Sequence, residues 1–291
     1  MKYLLGFLGY GEAAYHISTG LKKDGLDRLV AFDVKAADEQ AGKFIRDRAA
    51  EVGVDLAASM DELVASCTFI ASLTSAGVAV AIAEKVIPKM KAGQVYVDMN
   101  SASPMVKEKI AALPRPEGVL VCDAAVMNPV PGAGHKVPIT LAGDGSAAFL
   151  EALSPYGMNL ENLNAPPGAA AAIKMFRSVF MKGLPQLLME AMIPACKYGA
   201  LDALTESLSE SLSGKTIGQL AQQFIPRTII HAERRAHEMA DAVATLEEMG
   251  CVAAMSKATE HRLELLAKSG LGAKLPHDGK IDYRETLKML I

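Results

Sequence analysis

The hydrophobic and polar positions in the first half of the chain follow two alternating periods. Short, nearly continuous apolar runs predict buried strands, and the stretches between them, with apolar residues three and four positions apart, predict helices. The predicted strands are Tyr3–Leu8, Arg28–Phe32, Thr68–Leu73, Gln94–Asp98, Val119–Asp123 and Val137–Ala142. The predicted helices are Glu12–Lys23, Ala37–Val52, Ala76–Met90, Pro104–Leu113 and Gly145–Ser154. This alternation predicts βαβ units and a doubly wound, parallel sheet.

The second half of the chain keeps only the helical period. Residues 159–168 are polar and contain two prolines, and they are interpreted as a connector. A long apolar helix is predicted next, over Gly168–Lys197, with a bend at Pro185. The remaining predicted helices are Ala200–Ser211, Thr216–Gln223, Arg227–Met249 and Val252–Ser269. We therefore expect an α/β domain at residues 1–160 and an all-α domain at 161–291, which begins with the long helix between the domains.

Composition narrows the class of protein. The formal net charge of −3 gives no electrostatic reason to expect a nucleic acid or a membrane surface as partner. No apolar run approaches the roughly 20 residues that span a bilayer. Glu12 and His16 interrupt the apolar start, which is interpreted as a strand and turn and not as a signal peptide. The four scattered cysteines are typical of reduced thiols, so we expect a cytoplasmic protein.

A glycine-rich turn follows the first predicted strand. It has the pattern GxGxxA, formed by Gly9, Tyr10, Gly11, Glu12, Ala13 and Ala14. The first glycine permits a tight turn, and the second lets backbone N–H groups approach a pyrophosphate. The next helix then directs the partial positive charge of its N-terminus at the phosphates. The turn predicts a Rossmann domain that binds a dinucleotide, and the alternative is a glycine turn in a domain with another ligand.

Residues at the ends of two further strands are expected to contact the same dinucleotide. Asp33 lies 24 residues after Gly9, where an acid commonly accepts hydrogen bonds from ribose hydroxyls. Leu73 ends the third predicted strand and Thr74 follows it, and both are candidate cofactor contacts. The expected cofactor is NAD or NADP. NAD is favoured because the Asp33 carboxylate would repel a 2′-phosphate, whereas Lys35 would offer that phosphate a cation.

Three further segments carry polar residues in distinctive patterns. Residues 98–104 are Asp-Met-Asn-Ser-Ala-Ser-Pro, residues 123–129 are Asp-Ala-Ala-Val-Met-Asn-Pro, and Gly168 precedes Lys174 and Ser178 in the long helix. With the glycine turn, they resemble the β-hydroxyacid dehydrogenases, the family of 3-hydroxyisobutyrate dehydrogenase and 6-phosphogluconate dehydrogenase. The corresponding family motifs are Asp-x-Ser-Thr-x-x-Pro, Asp-Ala-Pro-Val-Ser-Gly-Gly and Gly-x5-Lys-x3-Asn.

The resemblance implies that Lys174 is the general acid/base of a hydride transfer between the cofactor and a hydroxyacid. A lysine in an alanine-rich, apolar stretch is costly to bury without purpose. Desolvation lowers the pKa of a lysine, and an amine that releases its proton near neutral pH serves as an acid/base. Ser178 lies one turn further on, in place of the family's Asn, and Arg177 is expected to supply the missing donor. The alternative is a solvated surface lysine.

The other two motifs imply substrate contacts. Asn100 and Ser101 stand where the family has Ser and Thr, and both are expected to donate to a substrate carboxylate. The alternative is that Ser101 or Ser103 only caps the following helix. Asn128 lies in the segment that replaces the family's Ser-Gly-Gly, so we expect a bulkier pocket wall there, or simply a structural turn.

The helical domain offers one further candidate. A polar stripe runs along the predicted helix Arg227–Met249 and is formed by Arg227, His231, Arg234 and Glu238. Such a stripe is ordinarily solvated, but Arg234 could instead bind an anionic substrate. His231 and His237 point in different directions on a helix, so no metal site is expected. Relatives complete the pocket with helices of a second subunit, which implies a homodimer and a role for this domain in substrate binding and dimerisation.

Three functions are compatible with these features. The first is an NAD(P)-dependent dehydrogenase that acts on a hydroxyacid or on the corresponding keto or aldehyde acid. The second is a reductase of the same architecture that acts on an imine or another carbonyl compound. The altered residues 127–129 and Ser178 favour this function. The third is a catalytically idle protein that senses NAD. Lys174 favours the first.

Overall fold

The computed structural model describes residues 2–40 and 42–291. It divides into two compact units, Met1–Ser178 and Val179–Ile291. The change from one unit to the other falls inside the long helix, because the first turns of that helix pack against the sheet of the first unit.

The first unit is built on an eight-stranded sheet with the order β3-β2-β1-β4-β5-β6-β7-β8. Neighbouring strands are parallel except β6 and β7, which are antiparallel. The order reverses direction between β1 and β4, and ligands of such sheets bind at this point, outside the carboxyl ends of the strands. The strands are β1 (Tyr3–Leu8), β2 (Leu29–Phe32), β3 (Asp55–Leu56), β4 (Cys67–Ser72), β5 (Val95–Asp98), β6 (Leu120–Val126), β7 (Ile139–Ala142) and β8 (Leu160–Asn162).

Helices cover both faces of this sheet, which explains why its strands are apolar on both sides. One face packs on α1, α2 and α6 through residues such as Ile17 and Phe149, and the other packs on α3, α4 and α5 through residues such as Leu63 and Ile110. The helices are α1 (Glu12–Lys23), α2 (Lys43–Val52), α3 (Met60–Ser66), α4 (Ala79–Val86), α5 (Pro104–Ala111) and α6 (Ser146–Leu153). The predicted fold class is confirmed.

Three elements of the first unit were not predicted, namely β3, α3 and β8. Two of them are strands of two and three residues, and β8 lies within the segment interpreted as a connector. The helix predicted from Ala37 begins only at Lys43, and its predicted first turns include Ala41, which lies outside the described residues. Arg46 explains the late start, since its guanidinium donates to the carbonyl oxygens of Ala36, Asp38 and Glu39 and so stabilises a non-helical loop.

The second unit is helical throughout its regular structure. Its elements are the later part of α7 (Ala169–Lys197), α8 (Leu201–Leu212), α9 (Ile217–Ile230), α10 (Ala232–Glu248), α11 (Ala254–Lys268) and α12 (Tyr283–Lys288). The predicted helix Arg227–Met249 is wrong, because His231 leaves the helical conformation (φ −108°, ψ 25°) and separates α9 from α10. Arg227 and Arg234 therefore stand on different helices, and the polar stripe does not exist as predicted. No helix in the described residues is long and apolar enough to cross a membrane.

Candidate functional site

The glycine turn lies between the carboxyl ends of β2 and β4. Gly9 has a φ of +86°, and a Cβ at this position would lie 2.6 Å from the carbonyl oxygen of Leu73. Its N–H donates to the carbonyl oxygen of Phe32 at 2.9 Å. At Gly11, by contrast, a Cβ would meet no atom within 4 Å. The fold itself therefore requires glycine at position 9, whereas the space beside position 11 is open to a ligand.

The N-terminus of α1 begins at this open space. Gly11 is its N-cap residue and provides no side-chain hydrogen bond to the first turn. Among the following residues Glu12 is exposed and Ala13 half-buried, while Ala14 is fully buried and lets the helix approach the sheet closely. The uncapped first turn presents backbone N–H groups and the positive end of the helix dipole, which suits an anion such as a pyrophosphate.

Asp33 fixes the conformation of the turn from the neighbouring strand. One carboxylate oxygen accepts from the N–H of Tyr10 at 2.9 Å, and the other accepts from the N–H of Lys35 at 2.9 Å. The side chain of Tyr10 is buried, and its hydroxyl lies 2.8 Å from the Ser18 Oγ. Burial raises the pKa of Tyr10. Tyr10 therefore takes part in the turn through its backbone, and its side chain faces the core.

Asn100 connects the carboxyl ends of β4 and β5. Its Oδ1 accepts from the N–H of Thr74 at 2.7 Å, and its Nδ2 donates to Ser72 Oγ at 3.0 Å and to Asp98 Oδ1 at 2.5 Å. Both hydrogens of the amide are thus used inside the protein. In this structure the side chain positions Thr74 beside the glycine turn, and its contact with a substrate carboxylate stays a prediction.

Ser101 and Ser103, which follow Asn100, were considered either as helix caps or as substrate contacts, and the structure distinguishes the two serines. Ser103 is the N-cap of α5, and its Oγ accepts from the N–H of Val106 at 3.4 Å. Ser101 is exposed, and its hydroxyl has no hydrogen bond to the described residues. Ser101 thus remains the residue of this motif with a free donor at the edge of the sheet.

A buried ionic cluster lies beneath this edge, and it was not predicted. Lys107 of α5 is almost fully buried, and its Nζ lies 3.1 Å from Asp98 Oδ2 and 3.3 Å from Asp123 Oδ1. Both aspartates are equally buried, and they are paired in register, Asp98 at the end of β5 and Asp123 in the middle of β6. One sequence signal would have found Lys107, since it stands three residues before the buried Ile110 on the same face of α5.

The start of α7 is attached to this cluster. Asp123 Oδ2 accepts from the N–H groups of Gly168 and Ala171, both at 3.1 Å. Small side chains allow the helix to approach the sheet here, because Ala170 packs against Ala125 and Ala142. The carboxylate of Asp123 thus compensates the positive end of the helix dipole, and it fixes the first turn of α7 beside β6.

Lys174 lies one turn beyond this attachment and is half-buried. Among the described residues, no hydrogen bond or ion pair to its Nζ is found. Burial lowers the pKa of the Lys174 amine, and the nearby positive charge of Lys107 lowers that pKa further. An unpaired amine with a lowered pKa at the carboxyl edge of a Rossmann sheet is suited to proton transfer.

The other predicted substrate contacts of the first unit are Arg177 and Ser178, which follow Lys174 in α7, and Asn128, which lies in the loop after β6. Arg177 donates through a guanidinium nitrogen to the carbonyl oxygen of Met127 at 3.2 Å. Ser178 donates to the carbonyl oxygen of Lys174 at 3.0 Å, one turn back in the helix. Asn128 is exposed and follows Met127. Arg177 thus links α7 to the segment that replaces the family's glycines.

Arg234 belongs to the second unit. It is exposed on α10 and forms an ion pair with Glu238 one turn along the same helix. This pairing is that of an ordinary solvated helix surface. Within residues 2–40 and 42–291, no group of three or more His, Cys, Asp or Glu side chains is arranged to hold a metal ion.

Both parts of the chain match known protein families. Residues 5–157, more than half of the chain, match the family described as the NAD binding domain of 6-phosphogluconate dehydrogenase. The chain belongs to this family. It is therefore a member of a family of NAD(P)-dependent oxidoreductases, and the resemblance to the β-hydroxyacid dehydrogenases is confirmed. Residues 195–266 match a domain of unknown function, DUF1932.

Individual relatives cover most of the chain. The 2-(hydroxymethyl)glutarate dehydrogenase of Eubacterium barkeri is 26% identical over 75% of this chain and 72% of its own length. A conserved hypothetical protein from Sinorhizobium meliloti 1021 is 32% identical, with a TM-score of 0.67 over 97% of this chain and 93% of its own. An imine reductase from Aspergillus terreus, in complex with NADPH4, shares the fold with a TM-score of 0.74 at 19% identity, over 94% of this chain and 96% of its own.

The residues of the first unit fit a nicotinamide dinucleotide. The open space at Gly11 and the uncapped N-terminus of α1 are suited to the pyrophosphate. Asp33 stands at the end of β2, where acceptors for ribose hydroxyls are found in this fold. Leu73 and Thr74 close the other side of the turn, at the point where the strand order reverses.

Proposed function

We propose that the protein transfers a hydride between a nicotinamide cofactor and a hydroxyacid, or its keto or aldehyde acid, with Lys174 as general acid/base. The observation that carries this proposal is the state of Lys174, whose amine is half-buried, unpaired among the described residues and lowered in pKa. Family membership supports the cofactor, and the E. barkeri relative is a dehydrogenase of a hydroxyacid.

Each side chain has a distinct task in this proposal. When bound, the nicotinamide supplies the hydride acceptor for oxidation and the hydride donor for reduction. In oxidation the neutral amine of Lys174 takes the proton of the substrate hydroxyl, and in reduction the ammonium returns a proton to that oxygen. The Ser101 hydroxyl and the remaining donors of Arg177 bind the substrate's anionic group, which brings its reacting carbon into position.

NAD is the favoured cofactor in this proposal. The Asp33 carboxylate is held at the glycine turn by two backbone N–H groups, and a 2′-phosphate beside it would be repelled. Arg46 directs three of its five N–H donors to carbonyl oxygens of the loop after β2, which leaves fewer of them for a phosphate. Lys35, whose side chain is exposed, is the cation of this loop that would favour NADP instead.

The proposal is tested by a spectrophotometric screen at 340 nm with the purified protein. NAD and NADP are each offered with 3-hydroxy acids, sugar acids, 2-(hydroxymethyl)glutarate and the oxidised partners of these compounds. We expect turnover of a hydroxyacid that falls by about two to four orders of magnitude in Lys174→Ala, while the Kd of the cofactor stays within about twofold. Turnover that survives this substitution would exclude the role assigned to Lys174.

An imine or carbonyl reductase is the second candidate. The observation in its favour is the substituted pocket wall, in which residues 127–129 replace the family's Ser-Gly-Gly and Arg177 contacts Met127, together with Ser178 in place of Asn. The similarity to the A. terreus imine reductase supports the fold that this function would use. Cyclic imines belong in the same screen, and their reduction without hydroxyacid turnover would favour this candidate.

We further propose that the protein is a cytoplasmic homodimer that covers the exposed apolar surface of α7. Val179 and Ile193 have 75% and 53% of their surface exposed in the single chain, which is unusual for large apolar side chains of one helix. A second copy is the proposed occupant, because the family resemblance implies pockets completed by a partner subunit. The cysteines of the described residues are unpaired thiols, which suits a reducing compartment.

A further inference from the structure

The acid/base proposed for this protein stands on a helix whose first turn is fixed by a single carboxylate. Asp123 uses one oxygen for Lys107, at 3.3 Å, and the other for the N–H groups of Gly168 and Ala171, both at 3.1 Å. No other side-chain hydrogen bond to the first turn of α7 is found in the part of the chain that the structure describes. The carboxylate is therefore the polar connection between β6 and the start of α7.

The geometry of α7 transmits any displacement of its first turn to Lys174. Lys174 lies three residues after Ala171, so its Cα is about 4.5 Å further along the helix axis, with no hinge residue between them. A shift of about 1 Å at a reacting group is enough to cost orders of magnitude in rate. The position of the Lys174 amine thus depends on the attachment at Asp123.

The buried cation explains how a carboxylate is kept at this place. Asp123 is buried in the middle of β6, where an unpaired charge would be strongly disfavoured. Lys107 compensates it and is in turn held by Asp98, through an ion pair at 3.1 Å and a hydrogen bond to the Asp98 carbonyl oxygen at 2.7 Å. The cluster therefore ties β5, β6, α5 and α7 together at the edge of the sheet where the cofactor and substrate are proposed to bind.

We propose that Asp123 is a positioning residue, which sets the location of the Lys174 amine through its hydrogen bonds to the first turn of α7. This inference rests on the proposed role of Lys174. It assigns no contact with the substrate to Asp123, and it identifies Lys107 and Asp98 as the buried support that holds the Asp123 carboxylate in place.

The test compares Asp123→Asn with Asp123→Leu. Asn keeps one acceptor for the helix N–H groups, whereas Leu has a similar size and keeps none. We expect kcat for the fastest hydroxyacid of the screen to fall about 10-fold in Asp123→Asn and about 100-fold in Asp123→Leu, with the Kd of NAD unchanged within about twofold. Equal losses in the two variants would contradict positioning by hydrogen bonds and indicate a purely electrostatic effect.

A matched control removes the same kind of contact elsewhere. Glu190 accepts from the N–H groups of Met255 and Ser256, at 2.9 and 2.6 Å, and so caps α11 as Asp123 caps α7. Glu190 stands 16 residues after Lys174 on α7 and is only half-buried, so Glu190→Gln is expected to lower Tm less than Asp123→Asn and to leave kcat within about twofold. If both substitutions lower kcat alike, general destabilisation explains the loss and the proposal is overturned.

Amide hydrogen exchange followed by NMR provides a readout that needs no substrate. In Asp123→Asn the amides of Gly168 and Ala171 are expected to exchange about 10-fold faster or more, while those of α11 keep their rates. Unchanged exchange at these two amides overturns the inference whatever the activity shows. If Lys174→Ala keeps full turnover, the proposed function fails instead, and the exchange data still decide whether Asp123 fixes α7.

Discussion

A lysine in an apolar helix is either solvated or held in a desolvated position, and the two cases differ in how the amine titrates. At Lys174 burial lowers the pKa of the amine, and the charge of Lys107 acts in the same direction. No carboxylate of the described residues pairs with this amine to oppose the shift. The Lys174 amine can therefore gain or lose its proton closer to neutral pH than the amine of an ordinary lysine.

The pH dependence of turnover follows from the sign of this shift. The amine must be neutral to accept a proton, so we expect kcat for oxidation to rise with pH through the pKa of Lys174 and then to level off. In the reductive direction the ammonium is the active form, and kcat is expected to fall as pH rises through the same value. Initial rates in both directions across pH 6 to 11 measure this, with exposed Lys182→Ala as the control variant on α7. Parallel profiles in the two directions would contradict the assignment.

At the scale of elements, the two glycines of the phosphate-binding turn are expected to respond differently to the same substitution. Gly9→Ala places a Cβ 2.6 Å from the Leu73 carbonyl oxygen at a φ of +86°, so it should lower Tm by several degrees or prevent folding. Gly11→Ala meets no atom within 4 Å, so its Tm should match the wild type. Its Kd for NAD should nevertheless rise about 10-fold or more, because the methyl group enters the space proposed for the pyrophosphate.

Thermal unfolding monitored by circular dichroism and titration calorimetry with NAD separate these outcomes. If Gly11→Ala binds NAD as tightly as the wild type, the pyrophosphate does not lie against this turn. If Gly9→Ala melts at the temperature of the wild type, the close approach to β4 is not a constraint on the fold. The two variants serve as each other's controls, since both add one methyl group to the same loop.

Most elements could be predicted from the sequence, because the spacing of apolar residues within one segment is enough to indicate a buried strand or a helix. β1 and α1 agree with their predicted bounds, and the glycine turn between them was identified together with Asp33. The short strands β3 and β8 could not be predicted, since two or three residues do not establish a period. The break at His231 was missed because the helical period continues through the end of α9 and the beginning of α10.

The site was predictable where one residue carries the signal and not where a network does. Lys174 was singled out by its apolar surroundings and by the family resemblance, and the structure places it half-buried near the start of α7, while its catalytic role stays a prediction. Asn100 was assigned to the substrate from its place in the family motif, and only the fold shows that Ser72 and Thr74 already hydrogen-bond to its amide. Lys107 shares a face of α5 with the buried Ile110, which indicates burial, but its ion pairs with Asp98 and Asp123 follow only once β5 and β6 lie side by side.

At the scale of the whole molecule, the exposed apolar surface of α7 predicts self-association. A helix of 29 residues is about 44 Å long, which is enough to contribute the core of a standard interface. We expect light scattering during gel filtration to give about twice the chain mass of 30.7 kDa at micromolar concentration. In a two-fold symmetric dimer each substitution occurs twice, so Ile193→Glu should shift the protein toward the monomer. The substitution should not unfold the chain, because the Ile193 side chain is exposed in the single chain.

Val252→Glu is the matched control, since Val252 is 77% exposed in the second unit but lies outside α7. A wild-type monomer, or a dimer that Ile193→Glu leaves intact, would show that another surface or no second copy is involved, and the pocket would then have to be complete within one chain.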